Sequence, residues 1–367
     1  MKKIKVYLQK PWRFSDSSYY KYIVKYPPKN VEFLNVKGDE GAVSDAKKMV
    51  FLHALKRNIR KILTPFSVPN AHLTRFRGKY DLIHCAHCLS LNKRKPWVMD
   101  IEYLGQLWIS NKPLKKSHEH QKWLVKKILL KNNCKKIITW TNWVKKDLIK
   151  MFPEIKDKIE ILPFAMPAPK FKKNKKNTIT LLFISRRFYF KSGLYAIEVI
   201  DHLTKKYESV EGIVVSETPK EIINKYGKNK KIKFYDLMPQ EELFKKIYPN
   251  ADIFIYPAYT DTYGFGYVEA MAFGLPIMGV KGHCNEEIIE NNQTGFLIEK
   301  TNEFDLYDLT NHKDIIKKLI GKTEILIKNK KLREKISKAG IKEVAEGKFS
   351  IKKRNKKLKK IYEEALK

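Results

Sequence analysis

The chain has 367 residues, of which 43% are apolar and 31% charged, with 16 Gly and 16 Pro. This composition excludes wholesale disorder, collagen and a disulfide-stabilised miniprotein, and the length predicts two globular domains. The 75 Lys and Arg against 39 Asp and Glu leave a formal charge of +36, and the part before residue 168 is the more basic. Anionic partners such as phosphates, nucleic acid or anionic lipid surfaces are expected, and the charge alone does not choose among them.

The sequence predicts a cytoplasmic protein. Four cysteines are too few for a disulfide framework in a chain of this length, which favours a reducing compartment. The apolar run at residues 4–8 ends at Lys10 and Pro11 and is too short for the core of a signal peptide. No stretch supplies the about 20 apolar residues that a membrane helix requires.

Short β-type runs alternate with longer helical patterns, which predicts two α/β units with parallel sheets. The predicted strands are residues 4–8, 31–36, 80–85, 97–104, 136–140 and 159–162, then 178–185, 210–216, 232–235, 252–256, 276–280 and 296–299. The main helical patterns are at 44–62, 114–133, 142–151, 312–328, 330–346 and 350–366. A proline-rich stretch at 163–169 and the charged tract at 170–177 predict the linker between the two units.

The segment 261–279 carries the strongest chemical pattern, because ligands of open parallel sheets bind outside the carboxyl ends of the strands. It follows a predicted strand and reads Asp-Thr-Tyr-Gly-Phe-Gly-Tyr-Val-Glu-Ala-Met-Ala-Phe-Gly-Leu-Pro-Ile-Met-Gly. Gly264 and Gly266 would let a ligand approach the backbone, and free N–H groups at a helix start attract phosphate. A helix beginning near Gly266 would place Glu269 in its first turn. The carboxylates of Asp261 and Glu269 are suited to accept hydrogen bonds from sugar or ribose hydroxyls.

A second segment, residues 181–193, is a buried strand that leads into a loop and then a helix. Arg186 and Lys191 lie five positions apart in that loop. Together such cations can neutralise a diphosphate leaving group as its bond breaks. Arg187 is an additional cation to which the sequence assigns no role.

These two segments resemble the C-terminal signature of the retaining GT-B glycosyltransferases of family 4. In that family a Glu-x7-Glu pattern precedes Ala-Met-Ala-x-Gly-x-Pro, and this chain has Asp261-x7-Glu269 followed by the same run at 270–276; the family's Arg-x4-Lys pair matches Arg186 and Lys191. The resemblance runs from about residue 80 to the end and is much stronger after 178. It implies the α/β GT-B fold, with two Rossmann-like domains whose parallel sheets face a central cleft.

The resemblance also implies the roles of the domains. Residues 1–168 would bind the acceptor and residues 169–348 the nucleotide sugar, and the helix at 349–367 would cross back to the N-terminal domain. The implied activity is transfer of a sugar, with retention, from a nucleotide-diphosphate sugar to a glycan, lipid-linked or other acceptor. The nucleotide sugar is a substrate, and no cofactor is expected.

The donor-side residues follow from the same resemblance. Arg186 and Lys191 would stabilise the departing diphosphate, Glu269 would hold the ribose, and Asp261 would contact the transferred sugar. Because Asp261 is one methylene shorter than the family's Glu, the identity of the sugar stays open. The remaining donor-side residues that we expect are Ser216, Met238, Tyr263, Gly264, Phe265 and Gly266.

The N-terminal half departs from the family pattern. Many members have a Gly-rich loop after the first strand, where residues 10–15 here read Lys-Pro-Trp-Arg-Phe-Ser. Many also carry a His where this chain has Glu102. Glu102 could stabilise positive charge at the anomeric carbon or contact the acceptor. Asp100 would share its strand face, and His87 would lie on the acceptor side; the alternative for these carboxylates is a cap or an ion pair with Lys.

No metal site is predicted. The run His84-Cys85-Ala86-His87-Cys88 lacks a second Cys/His pair at comparable spacing, which a structural zinc would need. No Asp-x-Asp pair follows a strand in the catalytic region, so a metal-bridged diphosphate is not indicated. We therefore predict activity without a divalent ion.

Two further alternatives remain open from the sequence. The helical pattern at 45–61 has one apolar side (Met49, Leu52, Leu55 and Ile59), which would pack on its own sheet or lie on an anionic membrane, placing the protein at the inner face. The function alternatives are a nucleotide-sugar epimerase of GT-B architecture and a nucleic-acid-binding protein. Only the charge suggests the latter, no nucleic-acid-binding module is visible, and no nucleic-acid partner is expected.

Overall fold

The computed structural model describes residues 3–10, 18–36, 58, 66, 68–74, 76, 78–109, 119–174, 176–259, 261–299 and 313–367. The chain divides into two compact units. The first consists of Met1–Ala165 with Ile351–Lys367, and the second is Met166–Ser350. Each contains a six-stranded sheet in which every pairing is parallel. The predicted α/β class with two parallel sheets is confirmed.

The sheet of the first unit has the order β2-β1-β4-β6-β7-β8. Its strands are β1 (Ile4–Gln9), β2 (Val31–Leu34), β4 (Leu82–Ala86), β6 (Trp97–Ile101), β7 (Cys134–Thr139) and β8 (Ile159–Ile161). A separate two-stranded pair joins β3 (Ala71–His72) to β5 (Leu89–Ser90). That pair was not predicted, because two residues are too few to show a strand pattern.

The sheet of the second unit has the order β11-β10-β9-β12-β13-β14. Its strands are β9 (Ile179–Ser185), β10 (Val210–Ser216), β11 (Ile232–Tyr235), β12 (Ile253–Ile255), β13 (Ile277–Val280) and β14 (Gly295–Ile298). This is the Rossmann order 3-2-1-4-5-6. The chain extends the sheet on one side of β9 and then returns to its other side at β12, so the direction of strand order reverses between them. Ligands of such sheets bind at this switch point.

The helices connect the strands as parallel pairing requires. In chain order they are α1 (Ser18–Lys25), α2 (Glu119–Leu129), α3 (Asn142–Met151), α4 (Gly193–Lys206), α5 (Lys220–Tyr226), α6 (Gln240–Glu242), α7 (Phe265–Ala272), α8 (Asn285–Ile288), α9 (Lys313–Lys328), α10 (Lys330–Ala345) and α11 (Ile351–Ala365). The predictions for α3, α9, α10 and α11 agree with the structure within one or two residues. The pattern at 45–61 lies outside the described residues, apart from Asn58. None of the helices in the described part of the chain is long and apolar enough to cross a bilayer.

The central strands of the second unit are apolar throughout because both faces are covered. Leu181, Leu182 and Phe183 on β9 are fully buried, and α4 packs against β9 and β10. Burial of each such side chain stabilises the fold by about 1.5–3 kcal/mol relative to exposure. The carboxyl end of β9, where the apolar run stops, is therefore fixed on a rigid layer.

Helix α11 packs within the first unit. Leu358, Ile361 and Tyr362 on it are buried. The buried guanidinium of Arg354 donates to the carbonyls of Tyr22 at 3.2 Å and Tyr26 at 2.6 Å. Burial lowers the pKa of Arg354 to about 10, and these hydrogen bonds compensate the buried charge. The last helix is thereby attached to the end of α1.

Candidate active site

The loop after β9 holds the two predicted cations at the switch point of the second sheet. It turns through a short 3-10 helix, Tyr189–Lys191, in which the Lys191 N–H donates to the Arg187 carbonyl at 3.0 Å. Gly193 begins α4 under the ring of Phe188, where a Cβ would come within 2.6 Å of ring carbons. This contact fixes the exit of the loop. Arg186 is exposed at the carboxyl end of β9.

The structure brings Lys191 and Asp261 together. The Lys191 Nζ lies 3.1 Å from Asp261 Oδ1, although the two residues belong to loops after β9 and β12. Tyr256 donates its hydroxyl to Asp261 Oδ2 at 3.0 Å. Burial, followed by the charge of Asp261, raises the pKa of Tyr256 well above its ordinary value, so this hydroxyl stays a donor. A cation, a carboxylate and a phenol thus form one cluster at the switch point.

Gly264 sets the start of α7. Its φ is +78°, and a Cβ there would come within 2.4 Å of the Tyr267 ring, so both the backbone and the space favour glycine. The helix begins at Phe265, one residue earlier than predicted, and no acidic residue lies in its first turn. The prediction that Glu269 lies in the first turn was wrong. The helix dipole therefore does not explain why a carboxylate stands at this position.

Glu269 is instead a buried carboxylate that accepts hydrogen bonds from another segment of the unit. It is 9% exposed. Gln240 Nε2 donates to its Oε1 at 2.5 Å, and the Tyr248 hydroxyl donates to its Oε2 at 2.9 Å. Each carboxylate oxygen can accept two hydrogen bonds. The buried carboxylate is thus held in a fixed orientation.

The other predicted donor-side residues surround this region in different environments. Tyr263 is buried, with its ring centroid 5.3 Å from that of the half-buried Phe265. Ser216 ends β10, is buried, and its hydroxyl has no hydrogen-bond partner among the described residues. Met238 is half-buried in the loop between β11 and α6. Gly266, the second residue of α7, has room for a side chain, since a Cβ there would meet only the Phe254 ring at ordinary contact distance.

A second polar cluster lies in the first unit, at the carboxyl ends of β4 and β6. Asp100 is fully buried. Its Oδ1 accepts hydrogen bonds from the Tyr20 hydroxyl and from the His87 N–H at 3.2 Å. His84 Nε2 lies 3.0 Å from Asp100 Oδ2, and its Nδ1 lies 2.6 Å from the hydroxyl of Tyr362. Burial raises the pKa of Asp100, but the hydrogen bond and charge of His84 outweigh it and hold this pKa below its usual value.

His87 and Glu102 flank this cluster. His87 follows β4 with a φ of +53°, and its Nδ1 lies 3.7 Å from Asp100 Oδ1. The prediction that Glu102 shares a strand face with Asp100 was wrong, because β6 ends at Ile101. The backbone of Glu102 turns away there, and its N–H donates to Gln106 Oε1 at 2.8 Å. Asp100 is therefore a buried partner of His84 and His87, and Glu102 is a half-exposed loop residue.

We expect Asp100→Asn to destabilise the protein by about 2–4 kcal/mol near neutral pH, because it removes the charge that pairs with His84 in a buried site. Since the folded-state pKa of Asp100 lies below its ordinary value of 3.8, its contribution is present above that pH and is lost as the pH falls below it. Urea unfolding from pH 7 down to pH 3 measures this. The matched control is the exposed Asp157→Asn; equal losses in both variants would contradict the assignment.

Within the described residues, no group of three or more His, Cys, Asp or Glu side chains is placed to hold a metal ion. The four cysteines are buried and unpaired by disulfides. Cys85 and Cys88 pack beside Gln9, whose Nε2 lies 3.7 and 3.9 Å from their sulfurs.

Several functional partners were missed by sequence reasoning. Gln240 and Tyr248 support Glu269 from 29 and 21 residues away, and no motif marks them. Tyr256, which orients Asp261, ends an apolar run and is indistinguishable there from a core aromatic residue. Tyr20 and Tyr362 reach the Asp100 cluster from the opposite ends of the chain.

These sheets and sites define an α/β protein with the GT-B fold. Residues 167–343 match the family model of glycosyl transferases group 1, which covers both the loop after β9 and helix α7. The match covers just under half of the chain and lies within the second unit.

Individual proteins and solved structures are also similar to this chain. An "uncharacterized glycosyltransferase" of Haemophilus influenzae is 29% identical over 184 residues, which cover 48% of this chain and 50% of the relative. A "probable sucrose-phosphate synthase" of Thermosipho melanesiensis is 27% identical over 181 residues, covering 43% of this chain and 40% of that protein. The matches thus span half or less of these curated relatives. The crystal structure of Anabaena HepE in complex with UDP has a TM-score of 0.64 and 13% identity, covering 98% of this chain and 99% of that chain.

Proposed function

We propose that the protein is a retaining glycosyltransferase that uses a nucleotide-diphosphate sugar without a metal ion. The observation that carries this proposal is the pairing of Lys191 with Asp261 at 3.1 Å, at the switch point of a sheet whose sequence matches glycosyl transferases group 1. A ligand at a switch point lies against the loops that follow the strands on both sides of it. Here those loops supply a cation and a carboxylate.

The proposed chemistry distributes charge along the donor. Arg186 and Lys191 bind the diphosphate, which lies at the start of α7, where the helix dipole favours negative charge. Glu269 accepts hydrogen bonds from the ribose hydroxyls, and Asp261 accepts from the hydroxyls of the transferred sugar. The bond from the anomeric carbon to the phosphate oxygen breaks, and the nucleoside diphosphate leaves with the electron pair. An acceptor hydroxyl forms the new bond to the anomeric carbon and gives its proton to the departing phosphate oxygen.

The first unit is proposed to serve the acceptor. His87 and Glu102 are the partly exposed polar residues at the carboxyl ends of β4 and β6, and Asp100 holds the His87 backbone through its N–H. The acceptor is a glycan or a lipid-linked sugar. The protein acts in the cytoplasm or at the inner face of the membrane, and no nucleic-acid partner is part of the proposal.

The first test is calorimetric titration with UDP, GDP, ADP and dTDP in EDTA. One diphosphate is expected to bind clearly better than the others, because the nucleobase must enter a shaped pocket. HepE was crystallised with UDP, which makes UDP the first choice. Failure of every nucleotide to bind would refute the proposed donor site.

Turnover is expected to persist in EDTA, because Arg186 and Lys191 supply the positive charge that a divalent ion supplies elsewhere. Release of nucleoside diphosphate from the preferred donor, measured with and without EDTA, tests this. A loss of turnover that added magnesium or manganese restores would show that a metal is required.

The product is expected to keep the anomeric configuration of the donor sugar. This expectation comes from the resemblance to the retaining enzymes. NMR of the product, recorded early in the reaction, reads the anomeric proton coupling directly. An inverted product would refute retention and leave the sugar-transfer activity itself intact.

A further inference from the structure

Helix α2 of the first unit presents an exposed aromatic and basic stripe to solvent. Its members, which we call the α2 ridge, are His120, Trp123, Lys127 and Leu130. Spacings of three and four residues align them on one side of the helix, and the other side is buried through Val125, Ile128 and Leu129. Trp123 is 47% exposed and Leu130 is 40% exposed. Large apolar side chains at such exposure, aligned with cations, indicate an interaction surface for a protein or a membrane.

Two polar neighbours on the same helix lie against the indole of Trp123. The His120 ring stacks on it with centroids 5.6 Å apart, and the Lys127 ammonium lies 4.1 Å from its ring centroid. Such a cation over an aromatic face is stable in water and leaves the ring edge available. The aromatic surface and the positive charge are therefore presented together.

The ridge continues into a basic groove at the end of α2. Lys93, Leu130, Lys131, Asn132 and Asn133 line this groove. The Asn133 side chain donates to the carbonyls of Asn92 and Lys95, at 2.6 and 3.3 Å, which ties the basic loop 93–95 to the helix end.

Nearby carboxylates do not cancel the charge of the ridge. Glu119 is paired with Lys122, and Glu154 is paired with Lys126. Lys127 lies over the exposed indole, and Lys93 and Lys131 line the groove at the end of the helix, on a chain with a formal charge of +36. The surface is thus apolar at its centre and positive around it.

We propose that the α2 ridge is a docking surface for an anionic lipid bilayer. Tryptophan prefers the region of the lipid headgroups, where its apolar ring and polar N–H are both accommodated. Lysines beside it gain attraction from anionic headgroups, about fivefold in binding for each residue near the surface. A second copy of this chain fits poorly, because a two-fold contact would place like charges opposite each other. One indole and one leucine also give too little apolar area for a stable protein interface.

Vesicle co-sedimentation tests the proposal without donor or acceptor, so its outcome is independent of the sugar-transfer chemistry. The probes are phosphatidylcholine vesicles and vesicles that contain about 30 mol% phosphatidylglycerol, at about 0.1 M salt. The variants are Trp123→Ser and the double variant Lys127→Glu/Lys131→Glu. Tyr235→Ser removes an aromatic residue of similar exposure in the second unit (40%). Lys335→Glu/Lys338→Glu makes the same charge change on exposed positions of α10.

The wild type is expected to bind the anionic vesicles and not the neutral ones. Trp123→Ser should weaken binding by about tenfold, because it removes the indole that the bilayer would bury. The charge-reversal pair should weaken it by more than about 25-fold, because two attractions are lost. Both controls should bind like the wild type. Equal losses in the α10 control would show unspecific attraction by net charge, and unchanged binding by the α2 variants would place membrane contact elsewhere; either result overturns the proposal.

Discussion

Lys191→Met is expected to reduce turnover by about 10²–10³-fold. Negative charge develops on the departing diphosphate in the transition state, and removal of one preorganised positive or donor group at such a position costs about that much. In the wild type the Lys191 ammonium lies 5.2 Å from the centroid of the Phe190 ring. Methionine keeps an unbranched stem of similar length beside that ring. The change therefore removes the charge with little loss of packing. Initial rates of nucleoside diphosphate release measure the effect.

The same substitution leaves Asp261 buried without its cation, so it also destabilises the fold. The double variant Lys191→Met/Asp261→Asn separates the two effects, because it removes the unpaired buried charge. We expect it to regain thermal stability without regaining turnover. Lys205→Met is the matched control, since Lys205 pairs with Asp201 at 2.6 Å on α4 but is 67% exposed. Recovery of turnover together with stability would show that Lys191 only supports the loop.

The strands of the second sheet could be predicted because their burial on both faces leaves a continuous apolar run. β9 and β10 are the best examples, and their predicted ends at Ser185 and Ser216 agree with the structure. Arg186 was recognisable for the same reason: it is the first charged residue after a buried strand. Sheet class and the position of the loops therefore follow from local pattern alone.

The position of Glu269 in its helix and its burial could not be predicted in the same way. A shift of one residue in the start of α7 places Glu269 beyond the first turn, and the positive φ of Gly264 that sets the start is not visible in a sequence. The partners Gln240 and Tyr248 reach it from a different segment of the unit. Which distant residues meet depends on the strand order, and local periodicity carries no information on that order.

The Asp100 cluster shows the same limit more strongly. His84 lies between Asp100, 16 residues away, and Tyr362, 278 residues away. Sequence reasoning placed Asp100 beside Glu102 on a strand, since a regular strand has a period of two. The strand ends one residue earlier, and a buried histidine then becomes the partner of Asp100. Element ends decide the direction of polar side chains, and they are the least predictable feature of a sequence.

Glu269→Gln is expected to weaken binding of the preferred nucleoside diphosphate by about 10–100-fold. Glutamine keeps the size of the side chain, but it loses the charge and one of the two carboxylate oxygens that accept hydrogen bonds from the ribose; such charged hydrogen bonds contribute about 1.5–3 kcal/mol. Isothermal titration calorimetry measures the affinity, and the melting temperature reports on folding.

Three variants separate ligand binding by Glu269 from support of its surroundings. Gln240→Ala and Tyr248→Phe each remove one donor to the carboxylate and keep its charge, so they should weaken nucleotide binding by only about two- to fivefold, through poorer orientation of Glu269. Glu241→Gln removes an exposed charge on α6 and should have no effect. If Glu269→Gln bound the nucleotide as the wild type does, Glu269 would be a structural carboxylate that Gln240 and Tyr248 satisfy, and the ribose would have to be held elsewhere. If instead Glu269→Gln, Gln240→Ala and Tyr248→Phe all weakened binding equally, the polar cluster would act as one structural unit. The charge of Glu269 would then not be the group that the ribose recognises.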